Sequence, residues 1–237
     1  MKRIIILALG VLLALALTTP MALAKVGQGA NGSGTAEKLA VAWTQWAYSK
    51  PLSVNSPLIG SYPDGPRCNG TPVSSTPGKT WFLAGTPDGS VVTRSCTVPV
   101  GNRLFFPVYN ATFFITEPEE NEQIARDFVT GRVDAVENDP ALTIKVTVDG
   151  KEINSNRVVR AQTPFFEMTL PDDNILAEFG VEGDEYTTIS DGLWVTLPPL
   201  PPGKHEIHFE FSSPSISFSQ NNTYTLTVVN KGKKPAP

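Results

Sequence analysis

The sequence predicts a mostly-β fold: a single antiparallel β-sandwich, jelly-roll or immunoglobulin-like, with an N-terminal helix and one inserted helix. Three observations lead there. Glycine (19) and proline (21) make 40 of the 237 residues, above the roughly 12% of an average chain, so tight turns are frequent. About eight short runs rich in Val, Ile, Thr, Phe and Trp follow the period of two that belongs to a strand with unlike faces. The turn signals between them are evenly spread, without the alternation of helix and strand that a parallel sheet requires. At 41% hydrophobic and 18% charged, the chain has apolar side chains enough for a core, which excludes disorder throughout.

Met1-Lys2-Arg3 is a positively charged start, Ile4 to Leu17 an unbroken apolar run and Ala22-Leu23-Ala24 a small-residue cleavage site. Together they read as a secretory signal peptide over residues 1–24. The apolar run stops at Thr18-Thr19-Pro20, short of the roughly 20 residues that span hydrocarbon, so stable membrane insertion is not expected. The expected location is secreted or periplasmic. Once Lys2 and Arg3 leave, 17 basic side chains stand against 23 acidic ones, a net charge of −6, which argues against a nucleic-acid partner. Export also decides how Cys68 and Cys96 are read. They are the only two cysteines, they form no C-x-x-C redox pair, and outside the cytosol a structural disulfide is expected.

Residues 25–34 (KVGQGANGSG) are small and polar and read as a flexible arm; one domain follows over 35–230 and a disordered tail over 231–237. Thr35 is placed to cap a helix in which Leu39, Ala42, Trp43, Trp46 and Ala47 recur at three and four, a stripe that predicts both tryptophans in the core. Pro51 ends it. The stretch 51–79 is dense in Pro, Gly, Ser and Asn, shows no period, and reads as a long loop held by Cys68. Strands are predicted over 81–83 and 90–99, where Val92, Arg94, Cys96 and Val98 share one face. The next, over 102–108, contains Leu104-Phe105-Phe106 and is apolar on both faces, hence central. Thr116-Glu117-Pro118-Glu119 reads as a capping box and predicts a helix over 117–137 with an apolar stripe of Ile124, Phe128, Val133 and Val136. Leu142, Ile144, Val146 and Val148 then alternate with polar residues up to the Asp149-Gly150 turn, the clearest strand of the chain. Further strands are predicted over 165–170, 187–190, 192–197, 204–211 and 223–229. Leu197 to Gly203, rich in proline, reads as a stiff connector.

No G-x-S-x-G, H-E-x-x-H, P-loop or G-x-G-x-x-G is present, so serine hydrolases, zincins and nucleotide enzymes lack their signatures. His205 and His208 stand three apart on a strand and point to opposite faces, so they do not share a metal. His205, on a face with Ile207, Phe209 and Phe211, is the candidate acid or base. Arg94 and Asp191 are the candidates for stabilising charge. Arg94 alternates inward beside the disulfide and must meet a carboxylate or a cluster of carbonyls. Both Arg94 and His205 are expected to prove architectural, because their faces are shared with apolar or disulfide neighbours. Trp194 alternates away from Leu193, Val195 and Leu197 and is the candidate for stacking on a sugar; packing beneath a helix is the competing reading. Asp172, Asp173, Asn174, Glu182, Asp184 and Glu185 gather oxygen ligands that calcium could use, without EF-hand spacing, and Asp173 or Asn174 equally reads as the cap of a turn. No other cofactor is expected.

Trp43-Thr44-Gln45-Trp46, Trp81-Phe82-Leu83-Ala84-Gly85-Thr86, Arg94-Ser95-Cys96-Thr97-Val98-Pro99 and Asp191-Gly192-Leu193-Trp194, with Pro201-Pro202-Gly203-Lys204-His205, together resemble a family of exported bacterial proteins of uncharacterised function. The resemblance spans most of the mature chain. It implies one secreted domain with a Cys68 to Cys96 link and no activity. The functional expectation is a noncatalytic module for carbohydrate or another cell-envelope ligand. An exported polysaccharide-acting enzyme and a structural or interaction protein of the cell exterior are the alternatives.

Overall fold

The structure, a computed structural model, describes residues 33–72, 76, 78–117 and 119–230; the expected signal peptide, most of the expected arm and the expected tail lie outside them. In chain order the elements are α1 (Ser33–Tyr48), β1 (Thr80–Phe82), β2 (Val91–Pro99), β3 (Arg103–Phe114), α2 (Glu122–Glu137), β4 (Thr143–Val148), β5 (Lys151–Glu152), β6 (Val158–Gln162), β7 (Phe166–Thr169), β8 (Glu185–Leu197), β9 (Gly203–Ser213) and β10 (Phe218–Val229). They build two five-stranded sheets. The first runs β1-β3-β8-β6 with β7 also on β8, and the second runs β2-β10-β9-β4-β5. Pairing is antiparallel except for β1 with β3 and β10 with β2. The proline connector after Leu197 carries the chain from the first sheet to the second. No helix among the described residues is long and apolar enough to cross a membrane.

The strand alternation read from the sequence becomes the main core. Leu104, Phe106, Leu193, Val195 and Leu197 of the first sheet meet Ile207, Phe209, Phe211, Tyr224 and Leu226 of the second, with the Phe106 and Phe209 rings 4.8 Å apart. The opposite face of the first sheet is also apolar and is covered by α1. Leu39, Trp43 and Trp46 bury there against Phe82, Phe105, Ala161 and Trp194. This second layer is why Leu104-Phe105-Phe106 is apolar on both faces: β3 is sandwiched between the other sheet and a helix.

Several local expectations are corrected. The first helix already includes Ser33 and Gly34, so Thr35 lies in its first turn rather than capping it. The second helix starts five residues late, capped by the Asn121 side chain accepting from the backbone of Gln123 and Ile124. The apparent capping box is a separate turn, closed by the Glu120 carboxylate accepting from Thr116 N at 2.7 Å and Glu117 N at 3.1 Å. The buried stripe of α2 is Ala125, Val129, Val133 and Val136, while Ile124 and Phe128 are 46% and 47% exposed. The reason is spacing: 125, 129, 133 and 136 keep steps of four and three throughout, whereas Phe128 to Val133 is a step of five that turns off the face. Residues 187–190 and 192–197 form one strand, since Asp191 and Gly192 stay in register with Ala111 and Asn110. The predicted third strand runs six residues beyond Val108.

Residues 61–68 of the predicted loop lie along β2. Tyr62 bridges to Arg94, Ser95 N donates to Tyr62 O at 3.0 Å, and the Asp64 carboxylate accepts from Thr97 N at 3.0 Å. They thereby cover an edge strand that would otherwise expose its backbone groups. Cys68, in a short 3-10 turn, is bonded to Cys96 of β2.

Candidate functional site

β1 pairs with β3 only as far as Phe105. Beyond that point β3 has β8 on one side and no strand on the other among the described residues, and there the register with β8 slips between Pro107 and Tyr109. The bulge is made possible by Gly192 opposite. A Cβ at Gly192 would lie 2.6 Å from Tyr109 O, so no larger residue fits beneath the displaced backbone. Pro107 at the same place contributes no donor to the open edge.

Beside this bulge lies a cleft of about 270 Å3. Trp43 and Tyr48 of α1, Pro107 and Tyr109 to Thr112 of β3, Phe128 and Arg132 of α2, the Gly85 to Pro87 turn, and Phe218 and Gln220 of β10 line it. Tyr109 stacks on Phe211 with centroids 5.0 Å apart, and Gln220 is anchored by donating to Val108 O at 2.5 Å. Burial pushes the phenols of Tyr109 and Tyr48 up from their ordinary value, opposed by Arg132 at Tyr109 and by Thr112 at Tyr48. Both are therefore neutral hydroxyl donors at physiological pH. The lining contains no Asp, Glu or His. Chemically the cleft offers amides, hydroxyls, one guanidinium and aromatic walls. Phe128 stands half-exposed at its rim, edge-on to Phe113 at 5.3 Å.

No protein-family model matches the chain, and comparison with curated proteins finds no match. Among solved structures it is similar to a family 123 glycoside hydrolase from Clostridium perfringens, studied for glycolipid glycan hydrolysis, at 12% identity over 58% of this chain, with a TM-score of 0.23. The overlay takes in 23% of that hydrolase's length. Amebosin in solution (9% identity, 64% of this chain and 100% of that one, TM-score 0.21) and PbICP-C in complex with falcipain-2 (11%, 73% and 100%, TM-score 0.20) are similar at the same level. At such TM-scores these likenesses carry nothing about how this chain works.

The residues singled out from the sequence do not come together. Trp194 is fully buried. Its ring stacks on Phe105 at 5.2 Å and meets Trp43 edge-on at 5.4 Å, and its Nε1 donates to Ala161 O at 3.0 Å. It is the apolar layer beneath α1 and cannot stack on a sugar; Phe128, expected in the core, is instead half-exposed and lines the cleft. Arg94 is fully buried on β2. Its Nε donates to Gly60 O at 3.0 Å, and its Nη1 to Ala84 O at 2.6 Å and to Tyr224 Oη at 2.8 Å, while its Cζ lies 4.8 Å from the Tyr62 ring centroid. The carbonyl cluster is the partner, with aromatic faces in place of a carboxylate.

Asp191 is buried on β8 under α2. Arg160 Nη2 donates to its Oδ2 at 2.6 Å, and Arg160 Nη1 donates to Asp134 and Glu137, each at 2.6 Å. Gln162 Nε2 adds a bond to Asp191 at 3.2 Å. Burial alone would lower the Arg160 pKa, but the bonds to Asp191 and Asp134 outweigh it and hold the guanidinium charged. Arg160 of β6 thus ties Asp134 and Glu137 of α2 to Asp191 of β8. In the segment 172–185, Asp173 accepts from Ser53 N at 2.9 Å, Asn174 from Leu176 N at 2.7 Å and Asp184 from Glu185 N at 2.7 Å. Among the described residues no three His, Cys, Asp or Glu side chains gather as metal ligands.

His205 holds the 149–150 turn to the connector. Its Nδ1 lies 2.8 Å from Asp149 Oδ2 and its Nε2 2.9 Å from Pro201 O. Two acceptors satisfy only the imidazolium, and the Asp149 bond raises the histidine pKa while lowering that of Asp149. A raised histidine value stabilises the fold below the unfolded pKa and loses that effect as pH rises through the folded value. A lowered carboxylate value acts above its unfolded pKa and is lost on acidification. The pair therefore contributes most between about pH 4 and 6.5. Thermal melts of Asp149→Asn against the parent should differ most in that window and converge toward pH 9, by under about 1 kcal/mol since Asp149 is half-exposed. A difference independent of pH would contradict this.

Tyr109, Asn110, Arg132 and Gln220 were missed by sequence reading. One signal was available: a proline at 107 inside an apolar strand marks an edge or a bulge.

Proposed function

We propose that the chain is an exported, noncatalytic module that binds carbohydrate or another cell-envelope ligand in the cleft beside the β3 bulge, as a secreted or periplasmic protein of the exported bacterial family it resembles. The supporting observation is the composition of the cleft: two neutral tyrosine hydroxyls, Asn110, Thr112, Gln220 and Arg132 among aromatic walls, and no acid-base pair. A few fixed polar groups on an apolar lining are what orient a sugar. The volume, about 270 Å3, lies just under the roughly 300 Å3 at which drug-sized sites begin, which favours a single ring over an oligosaccharide.

The polysaccharide-enzyme reading with His205, Arg94 and Asp191 is less well supported, since each of the three is spent on separate structural bonds. Binding to a glycan array, followed by titration of the retained sugar, tests the proposal. Phe128→Ala and Arg132→Ala should each weaken binding by about tenfold, the effect of losing one stacked ring or one charge-assisted hydrogen bond. Unchanged melting temperatures would show that the fold is intact. Sugar binding indifferent to both substitutions would remove the cleft from consideration.

A further inference from the structure

A second cavity, of about 490 Å3, lies at the opposite end of β3 and shares no lining residue with the Tyr109 cleft. Lys79, Arg103 and Arg157 line it, with Leu197, Pro198 and Pro199 as an apolar wall. Three cations around one concavity are unexpected in a chain of net charge −4. All 23 acidic side chains lie among the described residues. Three of them converge on Arg160; none forms an ion pair with Lys79, Arg103 or Arg157, and none lines the cavity.

Gly78 has φ +72°, and a Cβ there would lie 2.7 Å from Arg103 Nη2. Glycine adopts that left-handed conformation readily. Arg103 N donates to Lys79 O at 3.0 Å, tying the bases of two of the cations together. Three like charges beside a low-dielectric wall repel one another, and an anion among them is attracted by all three.

We propose that Lys79, Arg103 and Arg157 form a binding site for a phosphate group. Two guanidinium forks and an ammonium present more donors than a carboxylate's two oxygens can use, whereas a phosphate offers three or four acceptors in a tetrahedral array. Outside the cytosol that group comes either as free inorganic phosphate or as the phosphodiester of an anionic envelope polymer. The inference does not rest on sugar binding in the Tyr109 cleft.

Amide NMR of the exported protein, titrated separately with inorganic phosphate and with a glycerol-phosphate polymer at constant ionic strength, tests it. Saturable shifts are expected at Lys79, Gly101, Arg103, Arg157 and Leu197. Response to both probes identifies the phosphate group itself as the ligand; response to the polymer alone identifies the phosphodiester chain. Each of Arg103→Gln and Arg157→Gln should weaken binding by about tenfold, one charge-assisted hydrogen bond apiece, while Phe128→Ala leaves it unchanged. Absence of saturable shifts with both probes would overturn the proposal. So would unchanged affinity in an Arg103→Gln, Arg157→Gln double variant whose spectrum shows it folded.

Discussion

Replacing Trp194 by alanine should lower the stability of the domain by about 3 to 5 kcal/mol, the usual range for removing a large aromatic from a core. The ring is fully buried and touches both elements it joins, stacking on Phe105 of β3 and meeting Trp43 of α1. Truncation would open a cavity beneath the helix and leave the Ala161 carbonyl without its donor, two losses that add. Chemical denaturation followed by tyrosine fluorescence and circular dichroism gives the number. Trp194→Phe keeps most of the volume but not the N–H donor, and should fall between the two. A stability change under about 1 kcal/mol in Trp194→Ala, coupled with lost sugar binding, would put this side chain at a surface after all.

Removing the disulfide should be nearly as severe. Cys68 and Cys96 are 28 residues apart, and closing a loop of that length restrains the unfolded chain by about 3.5 kcal/mol on the chain-entropy account. In the folded protein the bond fixes the loop that covers β2, from which Gly60 and Tyr62 reach Arg94. A Cys68→Ser, Cys96→Ser variant should therefore melt at lower temperature and be cut first by protease within residues 51–79. Intact mass of the exported parent should show two hydrogens fewer than the dithiol. Equal melting with and without reductant would mean that the Tyr62 and Asp64 hydrogen bonds hold the loop unaided.

The two replacements concern different layers, and the contrast bears on how the fold was legible. Strands whose faces differ announced themselves. Val92, Arg94, Cys96 and Val98 on β2 and Ile207, Phe209 and Phe211 on β9 all point inward as their alternation requires, because a period of two leaves no other way to segregate apolar side chains. β6 was not legible: Val158 to Gln162 carries valine at both of its first positions and arginine in its centre, which breaks the alternation even though Val158 joins the core between the sheets and Ala161 the layer beneath α1.

Composition, the period of two and the pair of cysteines were enough to determine a mostly-β sandwich with two helices and the Cys68–Cys96 link, since each of these depends on neighbours in sequence or on a single available partner. Where the bond between layers depends on residues far apart, only the tertiary structure decided. Whether Trp194 faced sugar or helix rested on α1 docking across the first sheet. Whether Phe128 was core or surface rested on the rotation of α2 set by Ala125 and Val129. The two cavities arise where β1 ends early and Gly192 admits a bulge, and where Lys79, Arg103 and Arg157 meet the proline connector. Close approaches of this kind join backbone and side chains far apart in sequence, and no local period records them.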